Sequence, residues 1–554
     1  MDAFLLLLAG LATPAVACPS PTTTAFSSYT YTVKTSTRYA TPLPSPLALT
    51  TTYAPAFTDA SKLLPSNVTY TSYTLVPNAT LTGDGQYGQS AYADLWANIT
   101  YNQTIPFTTT ASPTPVASSE LVFPPELYYT AEAKALPDCY KLPKDFIWGA
   151  AGSAFQIEGG LKYDGRGPAQ LDVIGALPNT EDMANAEITN MNYFLYKQDI
   201  ARLAAIGIPY YSFSISWTRI VPFGVADSPI NVPGLKHYDD LINTCIEYGI
   251  TPIVTLQHAD PPLYVPMNDT RYPDAFLYYA KQVMTRYGDR VKYWVTLNEP
   301  NIAFPTTPYS AITNILTAHA KVYHWYKETL EGRGQITIKF ANNLALPLDG
   351  DNPADHAAVQ RYQDFILGGM ANPIFLGKQY PSSLLSTPNI NITPLTSSQV
   401  SYFNGTADFW SFDPYTAQFA SSLTNSSACT SNSSDPLYPT CVDLTNVQSD
   451  GWLMGQASYA YAYLAPQYVR QQLGYVWNTF KPRGGILIAE FGFNPFMEFA
   501  KTEVAQRYDL ERSLYYFGFL REMMRSIYED GVKIIGALAW SFADNDEFVS
   551  FLQQ

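Results

Sequence analysis

The sequence predicts an α/β fold and, within that class, a closed (β/α)8 barrel of the TIM type. From about residue 144, short apolar runs alternate with stretches of helical periodicity, which is the pattern of repeated β–α units. Eight such runs occur, and eight parallel strand–helix units close naturally into a barrel. An open, doubly wound sheet is the alternative, but no glycine-rich phosphate loop follows the first run.

The predicted strands are short, apolar and rich in β-branched and aromatic residues, which suits strands buried on both faces. They lie at residues 146–150, 210–214, 251–256, 293–297, 336–340, 409–412, 485–488 and 535–540. Helical periodicity separates several of them, most clearly at 197–206, 235–248 and 275–287. The Ser- and Asn-rich stretches 382–401 and 421–434 are predicted to be surface loops.

The composition is that of a globular protein with a large core. Of the 554 residues, 47% are hydrophobic and 14% are charged, which argues against disorder throughout the chain. The formal net charge of -15 argues against nucleic acid and anionic membranes as partners. Beyond the N-terminus no run is long and apolar enough to span a bilayer. The oligomeric state is left open.

The chain divides into three predicted parts. Residues 1–17 are interpreted as a secretory signal peptide, because the apolar run 4–12 is too short to span a membrane and a small-residue cleavage pattern, Ala15-Val16-Ala17, follows it. Residues 18–119 form a Thr-, Ser-, Pro- and Tyr-rich extension with few charges, which suits a stalk, a small β-rich appendage or a disordered segment. Residues 120–554 form the predicted barrel domain.

Asparagine and cysteine usage agrees with secretion. Nine Asn-X-Ser/Thr sequons are typical of a glycosylated extracellular chain, and they lie at Asn67, Asn78, Asn98, Asn102, Asn268, Asn391, Asn404, Asn425 and Asn432. Five cysteines are few for this length, so disulfides are not expected to hold the fold together. Cys429 and Cys441 bracket a Ser/Asn/Pro-rich loop and are predicted to form a local bridge. Cys245 is expected in the core, and a Cys18–Cys139 pair is left open.

Two predicted strands end in a glutamate. The run 293–297 leads into Asn298-Glu299-Pro300, where the proline disfavours helix at Glu299 and a turn must follow. The run 485–488 leads to Glu490, after which Gly492 breaks the strand. In a β/α barrel the C-terminal ends of the strands carry the chemistry. The two glutamates are therefore a candidate carboxylate pair.

Taken in order, these segments resemble those of family 1 glycoside hydrolases, the retaining β-glucosidase type, and in particular its secreted fungal forms. Residues 146–151 and 155–159 resemble that family's first barrel strand, and residues 196–200 and 213–220 resemble its second unit. The resemblance runs from about residue 143 to 548 and depends on the ordered set of motifs. It implies a TIM barrel, a β-linked glucoside or oligosaccharide as substrate, and neither cofactor nor metal.

The resemblance also implies the catalytic roles. Glu299, in Thr-Leu-Asn-Glu-Pro, would be the general acid/base, and Glu490, in Ile-Ala-Glu-Phe-Gly, would be the nucleophile. A separation of about 5 Å between two such carboxyl groups leaves no room for a water and predicts retention of configuration. Asn298 would bond the sugar 2-hydroxyl, and Tyr415 would donate to Glu490 and help to keep it ionised. Arg219 follows the second strand, and the role of an arginine beside the nucleophile is left open.

The resemblance assigns sugar recognition to four further residues. Gln156 and Glu547 would each hold two hydroxyl groups. His258 would hold one, and Trp540 would offer a flat face to the C–H groups of the ring. Asn545 would support the nearby loop. Considered alone, His258 has a plainer interpretation as a structural histidine, Trp540 as barrel core, and Glu547 as part of an ordinary acidic loop.

Three departures from the family pattern bear on activity. Ala259 stands where the family usually has a tryptophan after the third strand, and its loss would remove an aromatic wall. Ala489 and Phe491 stand where threonine and asparagine usually flank the nucleophile. The chain ends at Gln554, a few residues past Glu547, so we expect the flank of the eighth strand to be open unless the extension or a partner covers it.

Three functional hypotheses follow. The first is a secreted retaining β-glycosidase of the β-glucosidase type, which hydrolyses terminal β-glucosides through a glycosyl-enzyme intermediate on Glu490. A transglycosidase that uses the same intermediate is the nearest enzymatic alternative. The departures at Ala259, Ala489 and Phe491 motivate the third, a non-catalytic carbohydrate-binding protein on a degenerate barrel. Covalent trapping on Glu490 by a 2-fluoro-glycoside separates the enzymes from the binding protein.

Overall fold

The computed structural model contains the predicted closed barrel of eight parallel strands. It describes residues 52–75, 84–99, 104–114, 136–137, 139–175, 186–302, 308–502, 505–506, 509–545 and 547. The strands are β1 (Ile147–Gly152), β2 (Tyr210–Ser214), β3 (Thr251–His258), β4 (Tyr293–Asn298), β5 (Gln335–Ala341), β6 (Trp410–Asp413), β7 (Ile486–Phe491) and β8 (Ile534–Trp540). Each pairs with the next, and β8 pairs with β1. The predicted fold is confirmed, and each predicted run overlaps one strand.

The strand ends bring polar residues to one mouth of the barrel. Every residue of β4 and β7 is buried, because the barrel interior covers one face of each strand and the helices cover the other. His258, Asn298 and Asp413 are the last residues of β3, β4 and β6, and Glu490 is the last but one of β7. Since all strands are parallel, these side chains collect at the same end.

In the described part of the chain, one principal helix follows each of β1 to β7. These helices are α1 (Asn192–Ile206), α2 (Val232–Glu247), α3 (Tyr272–Tyr287), α4 (Ile312–His324), α5 (Pro353–Gln363), α6 (Val469–Phe480) and α7 (Leu510–Glu529). The predicted stretches 197–206, 235–248 and 275–287 correspond to α1, α2 and α3. Gly207 ends α1 with a φ of 86°, a left-handed conformation that turns the chain into β2 at little steric cost.

The described part of the chain covers the outer side of β8 only in part, with Ile535 and Ala539 half-buried. Within the described ranges no helix follows β8, and a groove of about 390 Å³ lies along β1 and β8. Apolar side chains from β1, α1 and α7 line this groove, among them Trp148, Ile206 and Tyr516. The described part of the N-terminal extension lies elsewhere and does not cover it.

The described part of the extension packs against the barrel. It contains two short helices, Phe57–Ala60 and Gln89–Leu95. Between them, Tyr70–Thr71 pairs in parallel with Ile230–Asn231, immediately before α2. Across these residues the extension is neither a stalk nor a β-rich appendage. The signal segment 1–17 and the predicted boundary between residues 119 and 120 lie outside the described residues.

Two aromatic side chains fasten the second of these helices. Tyr92 and Trp96 are buried, and their Oη and Nε1 atoms donate to the carbonyl oxygen of Arg166 at 2.9 and 3.0 Å. The Arg166 guanidinium pairs in turn with the buried carboxylate of Asp172 at 2.7 Å. These rings belong to a small apolar cluster that also contains Phe155 from the loop after β1.

The described cysteines include one disulfide pair and one free thiol. The Cys429–Cys441 bridge is present, with an S–S length of 2.06 Å, so this prediction is confirmed. Cys245 is a buried free thiol in α2, as expected. Cys18 lies outside the described residues. Among the described helices, none is long and apolar enough to cross a bilayer.

The two segments predicted to be surface loops carry short helices. These are Ser382–Leu385, Ser397–Phe403 and Ser426–Ser431. Thr396 and Gln399 form a capping box at the start of the second, and Asn425 caps the third. Threonine and asparagine therefore act here as helix caps, so the prediction that both segments are surface loops is wrong for the residues in these helices.

Candidate active site

The two strand-end glutamates face one another at the mouth of the barrel. One carboxylate oxygen each of Glu299, Glu490 and Asp413 lies within 4.8 Å of the others. Glu299 follows β4 directly, in a left-handed conformation with a φ of 46°, and its backbone N–H donates to the Lys339 carbonyl oxygen at 2.8 Å. Glu490 is 3% exposed, on β7. The predicted pair is therefore brought within reach of one bound molecule.

A cavity of about 330 Å³ opens between these carboxylates and solvent. Seven of the predicted site residues line it: Gln156, His258, Glu299, Tyr415, Glu490, Trp540 and Glu547. The eighth, Asn298, lies beside it and is bonded to His258. The structure thus brings together the residues that the sequence separates by up to 391 positions. The sequence analysis missed eight further wall residues, among them the polar side chains of Asn342, Asn343, Tyr362 and Tyr461.

The recognition side of the cavity is built from oriented polar groups around an aromatic plane. The Trp540 ring stacks on His258 with 5.4 Å between centroids and 16° between planes. Trp540 Nε1 donates to Glu547 Oε2 at 2.7 Å. Ser153 Oγ donates to Gln156 Oε1 at 2.6 Å, and this hydrogen bond fixes the orientation of the Gln156 amide group. Asn545 donates to Ser541 Oγ at 2.9 Å, within the loop that it was expected to support.

His258 is held as a neutral imidazole. Burial, followed by the charge of Lys339, lowers the pKa of His258 well below its usual value. The neutral ring accepts the Asn298 side-chain N–H at Nε2, 3.0 Å away, which places its proton on Nδ1. That nitrogen lies 3.9 Å from Glu490 Oε1. His258 can therefore offer a donor to a hydroxyl group of a molecule bound beside Glu490.

Two side chains bond Glu490 directly, Tyr415 and Lys339. Tyr415 Oη donates to Glu490 Oε2 at 2.8 Å, the contact expected from the sequence. Lys339, which the sequence analysis did not single out, forms an ion pair with Glu490 Oε1. Its Nζ also lies 3.4 Å from Asp413 Oδ2. The available signals were a lone lysine within the apolar run 336–340 and an acid directly after the run 409–412.

Burial and mutual repulsion hold protons on two of the three acids. Burial, and then the nearby charge of Glu490, raises the pKa of Glu299 to about 7. The same two causes raise the pKa of Asp413 well above its usual range, and Asp413 is hydrogen-bonded to Glu299. Burial alone would lower the pKa of Lys339, but Asp413 and Glu490 raise it overall. Glu299 therefore keeps a proton to donate near neutral pH, beside a lysine that stays charged.

The three carboxyl groups also have the donor chemistry of a cation site. Their oxygen atoms could bind a divalent ion. However, the Lys339 ammonium already contacts Glu490 and Asp413 from within the cluster, and its charge would repel such an ion. The arrangement suits proton transfer and nucleophilic attack better than metal binding.

Arg219, whose role the sequence left open, lies outside this cavity. Its Nε bonds Glu158 Oε2 at 2.5 Å, and its guanidinium lies 4.0 Å from the centroid of the Tyr193 ring. Tyr238 donates to the other oxygen of Glu158 at 2.6 Å. All of these groups are buried. Arg219 therefore joins the loop after β1 to α1 and α2, and among the described residues the groups that it contacts do not include Glu490.

The departures around the nucleophile concern packing against the helices. Ala489 and Phe491 alternate with Glu490 along β7, so they face away from the cavity. The Phe491 ring packs against Tyr515, Tyr516 and Phe519 of α7. Ala259 does not line the cavity, so the wall on that side is formed by other residues.

Comparison with known proteins agrees with this geometry. The profile of glycosyl hydrolase family 1 matches residues 139–554. Beta-glucosidase 1B of Phanerodontia chrysosporium is 31% identical over 445 residues, which are 74% of this chain and 79% of that protein. The solved structure of beta-glucosidase 2 from Trichoderma reesei in complex with Tris has a TM-score of 0.69 at 28% identity and covers 74% of this chain and 92% of its own.

A rice β-glucosidase mutant in a covalent complex with Glc is also similar, with a TM-score of 0.68 and 27% identity over 74% of this chain and 91% of its own. The similarity in sequence and structure thus extends over the whole barrel and includes both strand ends that carry the glutamates. The chain belongs to glycosyl hydrolase family 1, and it is a glycoside hydrolase.

Proposed function

We propose that this protein is a retaining β-glycosidase that hydrolyses terminal β-glucosides. The observation that carries the proposal is the close approach of Glu299 and Glu490, whose nearest carboxylate oxygens are within 4.8 Å. An inverting enzyme needs about 6.5–9.5 Å between its carboxyl groups to hold a water between them. The covalent complex of the similar rice enzyme with Glc supports the same type of mechanism.

In the proposed first step, Glu299 gives its proton to the glycosidic oxygen while a Glu490 oxygen attacks the anomeric carbon. The C–O bond to the leaving group breaks as the ester bond to Glu490 forms, so one proton and one electron pair leave with the alcohol. In the second step the Glu299 carboxylate takes a proton from water, whose oxygen displaces Glu490. Both carboxyl groups return to their starting states.

The cavity supports a single sugar ring with several hydroxyl groups. Trp540 offers a flat apolar face, while Gln156, His258 and Glu547 supply polar groups around it. Asn298 is placed beside His258, and its Oδ1 is buried without a hydrogen-bond partner. A sugar hydroxyl would satisfy this oxygen, and a buried acceptor that finds its partner only on substrate binding favours that binding.

The proposal is tested by removing and by labelling the nucleophile. Glu490→Gln keeps the size of the side chain but removes its charge, so we expect hydrolysis of 4-nitrophenyl β-glucoside to fall by about 10⁴-fold or more. Wild-type protein treated with a 2-deoxy-2-fluoro-β-glucoside should gain one fluoroglucosyl group on Glu490, measured by peptide mass spectrometry.

The matched control is Glu247→Gln, which changes an exposed glutamate at the end of α2 and should leave the rate unchanged. Near wild-type turnover by Glu490→Gln, or a label on another residue, would overturn the mechanism. Sugar binding with neither label nor turnover would favour the carbohydrate-binding alternative. Transfer to an added alcohol in preference to water would identify a transglycosidase.

We also propose that the protein is secreted and N-glycosylated. The asparagines of seven sequons lie in the described residues, and all seven are exposed: Asn67, Asn98, Asn268, Asn391, Asn404, Asn425 and Asn432. Exposure is what glycan attachment requires. Expression of the full chain in a fungal host should give culture-supernatant protein whose mass falls on treatment with an N-glycosidase. An intracellular product of unmodified mass would contradict this proposal.

A further inference from the structure

One buried lysine contacts both catalytic glutamates. Lys339 lies in β5 and is 3% exposed, and its Nζ forms an ion pair with Glu490 Oε1. Its backbone carbonyl oxygen accepts the N–H of Glu299 at 2.8 Å. Asp413, from the neighbouring strand β6, lies 3.4 Å from the same Nζ. Lys339 therefore touches the nucleophile through its side chain and the acid/base through its backbone.

We propose that Lys339 is the positioning residue that orients Glu490 and balances its charge for glycosyl transfer. The inference rests on the retaining mechanism proposed above. It identifies the cation beside the nucleophile, a role for which Arg219 is unavailable because its guanidinium is bonded to Glu158. Among the described residues that line the cavity there is no lysine or arginine, and Lys339 reaches Glu490 from behind that wall.

The contacts of Glu490 show how the orientation is fixed. Lys339 bonds Oε1 and Tyr415 donates to Oε2 at 2.8 Å. The two donors come from different strands, since Lys339 lies in β5 and Tyr415 follows β6. Charge-assisted hydrogen bonds to both oxygens restrict rotation of the carboxylate plane. The carboxylate is thus held in one orientation before a substrate arrives, which lowers the entropic cost of attack.

The charges around Glu490 show why a cation is needed there. The titratable groups that face it from the surrounding elements are His258 of β3, Glu299 after β4, Lys339 of β5, Asp413 of β6, and Tyr415, Tyr461 and Glu547. Of these, Lys339 alone carries a positive charge at neutral pH, because His258 is held neutral. Without Lys339, the charged forms of Glu490 and Glu299 would both be less favourable.

The test compares Lys339→Met with Lys339→Arg in the full chain. Lys339→Met should lower kcat/KM for an aryl β-glucoside by about 100-fold. It should also move both the acidic and the basic limb of the pH–rate profile to higher pH by about one unit or more, because a nearby positive charge lowers a carboxyl pKa and its removal raises that pKa. Lys339→Arg should keep both limbs in place and recover part of the rate.

The control variant is Lys327→Met, which removes a lysine that pairs with Asp408 at 2.8 Å, 25% exposed and away from the cavity. It should change neither the rate nor the profile. A lower rate in Lys339→Met with both limbs unmoved would show a merely structural role and overturn the proposal, as would an unchanged rate. If Lys339→Met fails to fold, as judged by circular dichroism, Lys339→Gln supplies the same pH measurement.

The failure of this inference can be told apart from the failure of the proposed mechanism. Full activity in Glu490→Gln would refute the assignment of Glu490 as the nucleophile and, with it, the role proposed for Lys339. An inactive Glu490→Gln together with a normal pH profile in Lys339→Met would leave the mechanism intact and refute the role of Lys339 alone.

Discussion

At the scale of single residues, the proton on Glu299 controls the response to pH. Burial and the charge of Glu490 raise the pKa of Glu299 to about 7, so its acid form predominates below that pH. The first step consumes this proton. We therefore expect kcat/KM for a β-glucoside with a poor leaving group to decline about tenfold per pH unit above about pH 7. A pH–rate profile of the wild-type enzyme measures it.

A substrate that needs no protonation provides the control for this prediction. Dinitrophenolate leaves as the anion, so the decline above pH 7 should weaken or disappear for the corresponding aryl β-glucoside. A basic limb that stays near pH 9 for the poor leaving group would show that Glu299 is not the acid. If the rates for both substrates decline at the same pH, the decline would report the titration of a group other than the proton donor.

The sequence predicted the glutamates and missed the groups that surround them. Glu299 and Glu490 stand out because each follows an apolar run and sits in a short recognisable motif. Lys339 lies inside an apolar run, and Asp413 follows one but was not singled out, since a lone lysine or acid at a strand is usually solvated. Only closure of the barrel places β5 and β6 between the two glutamates, so the contacts of Lys339 and Asp413 with them depend on the fold and have no local sequence pattern.

At the scale of elements, the helix Gln89–Leu95 is joined to the barrel by aromatic side chains. Trp96, which follows the helix, is 3% exposed and donates to Arg166. We expect Trp96→Ala to cost about 3 kcal/mol, because it leaves a large cavity and a buried carbonyl with one donor fewer. A lower Tm by differential scanning calorimetry would measure this loss.

The control uses a tryptophan that makes no such contacts. Trp452 is 74% exposed, so Trp452→Ala should leave the Tm within about one degree of wild type, as for most surface changes. Equal Tm values for the two variants would mean that the helix Gln89–Leu95 contributes nothing to the stability of the barrel.

The elements that the sequence predicted well are those with a strong internal period. The barrel strands and α1 to α3 bury regular apolar faces. The spacing of their apolar residues can therefore be recognised in the sequence without knowing which elements they pack against. The short helices at 397–403 and 426–431 were missed because their few residues carry little periodicity. Their caps, Thr396 with Gln399 and Asn425, were the available signal.

At the scale of the whole molecule, the closed barrel was predictable and the packing of the extension was not. Eight apolar runs in alternation with helices leave few other topologies. Residues 52–75 and 84–99, by contrast, have a composition that suits a stalk, and they pack through contacts with surfaces far away in the sequence. Tyr92 and Trp96 donate hydrogen bonds to the Arg166 carbonyl oxygen, a partner that cannot be predicted from the residues next to them in the sequence.

The cluster around Tyr92 and Trp96 has a consequence for sugar binding. It includes Phe155, whose neighbour in the chain is Gln156, a wall residue of the cavity. The N-terminal segment therefore packs behind the part of the cavity that Gln156 lines, although it precedes the region that matches the family. If the cavity binds a sugar as proposed, we expect loss of these contacts to weaken that binding while both carboxylates stay in place, so the binding unit would extend beyond the region that matches the family.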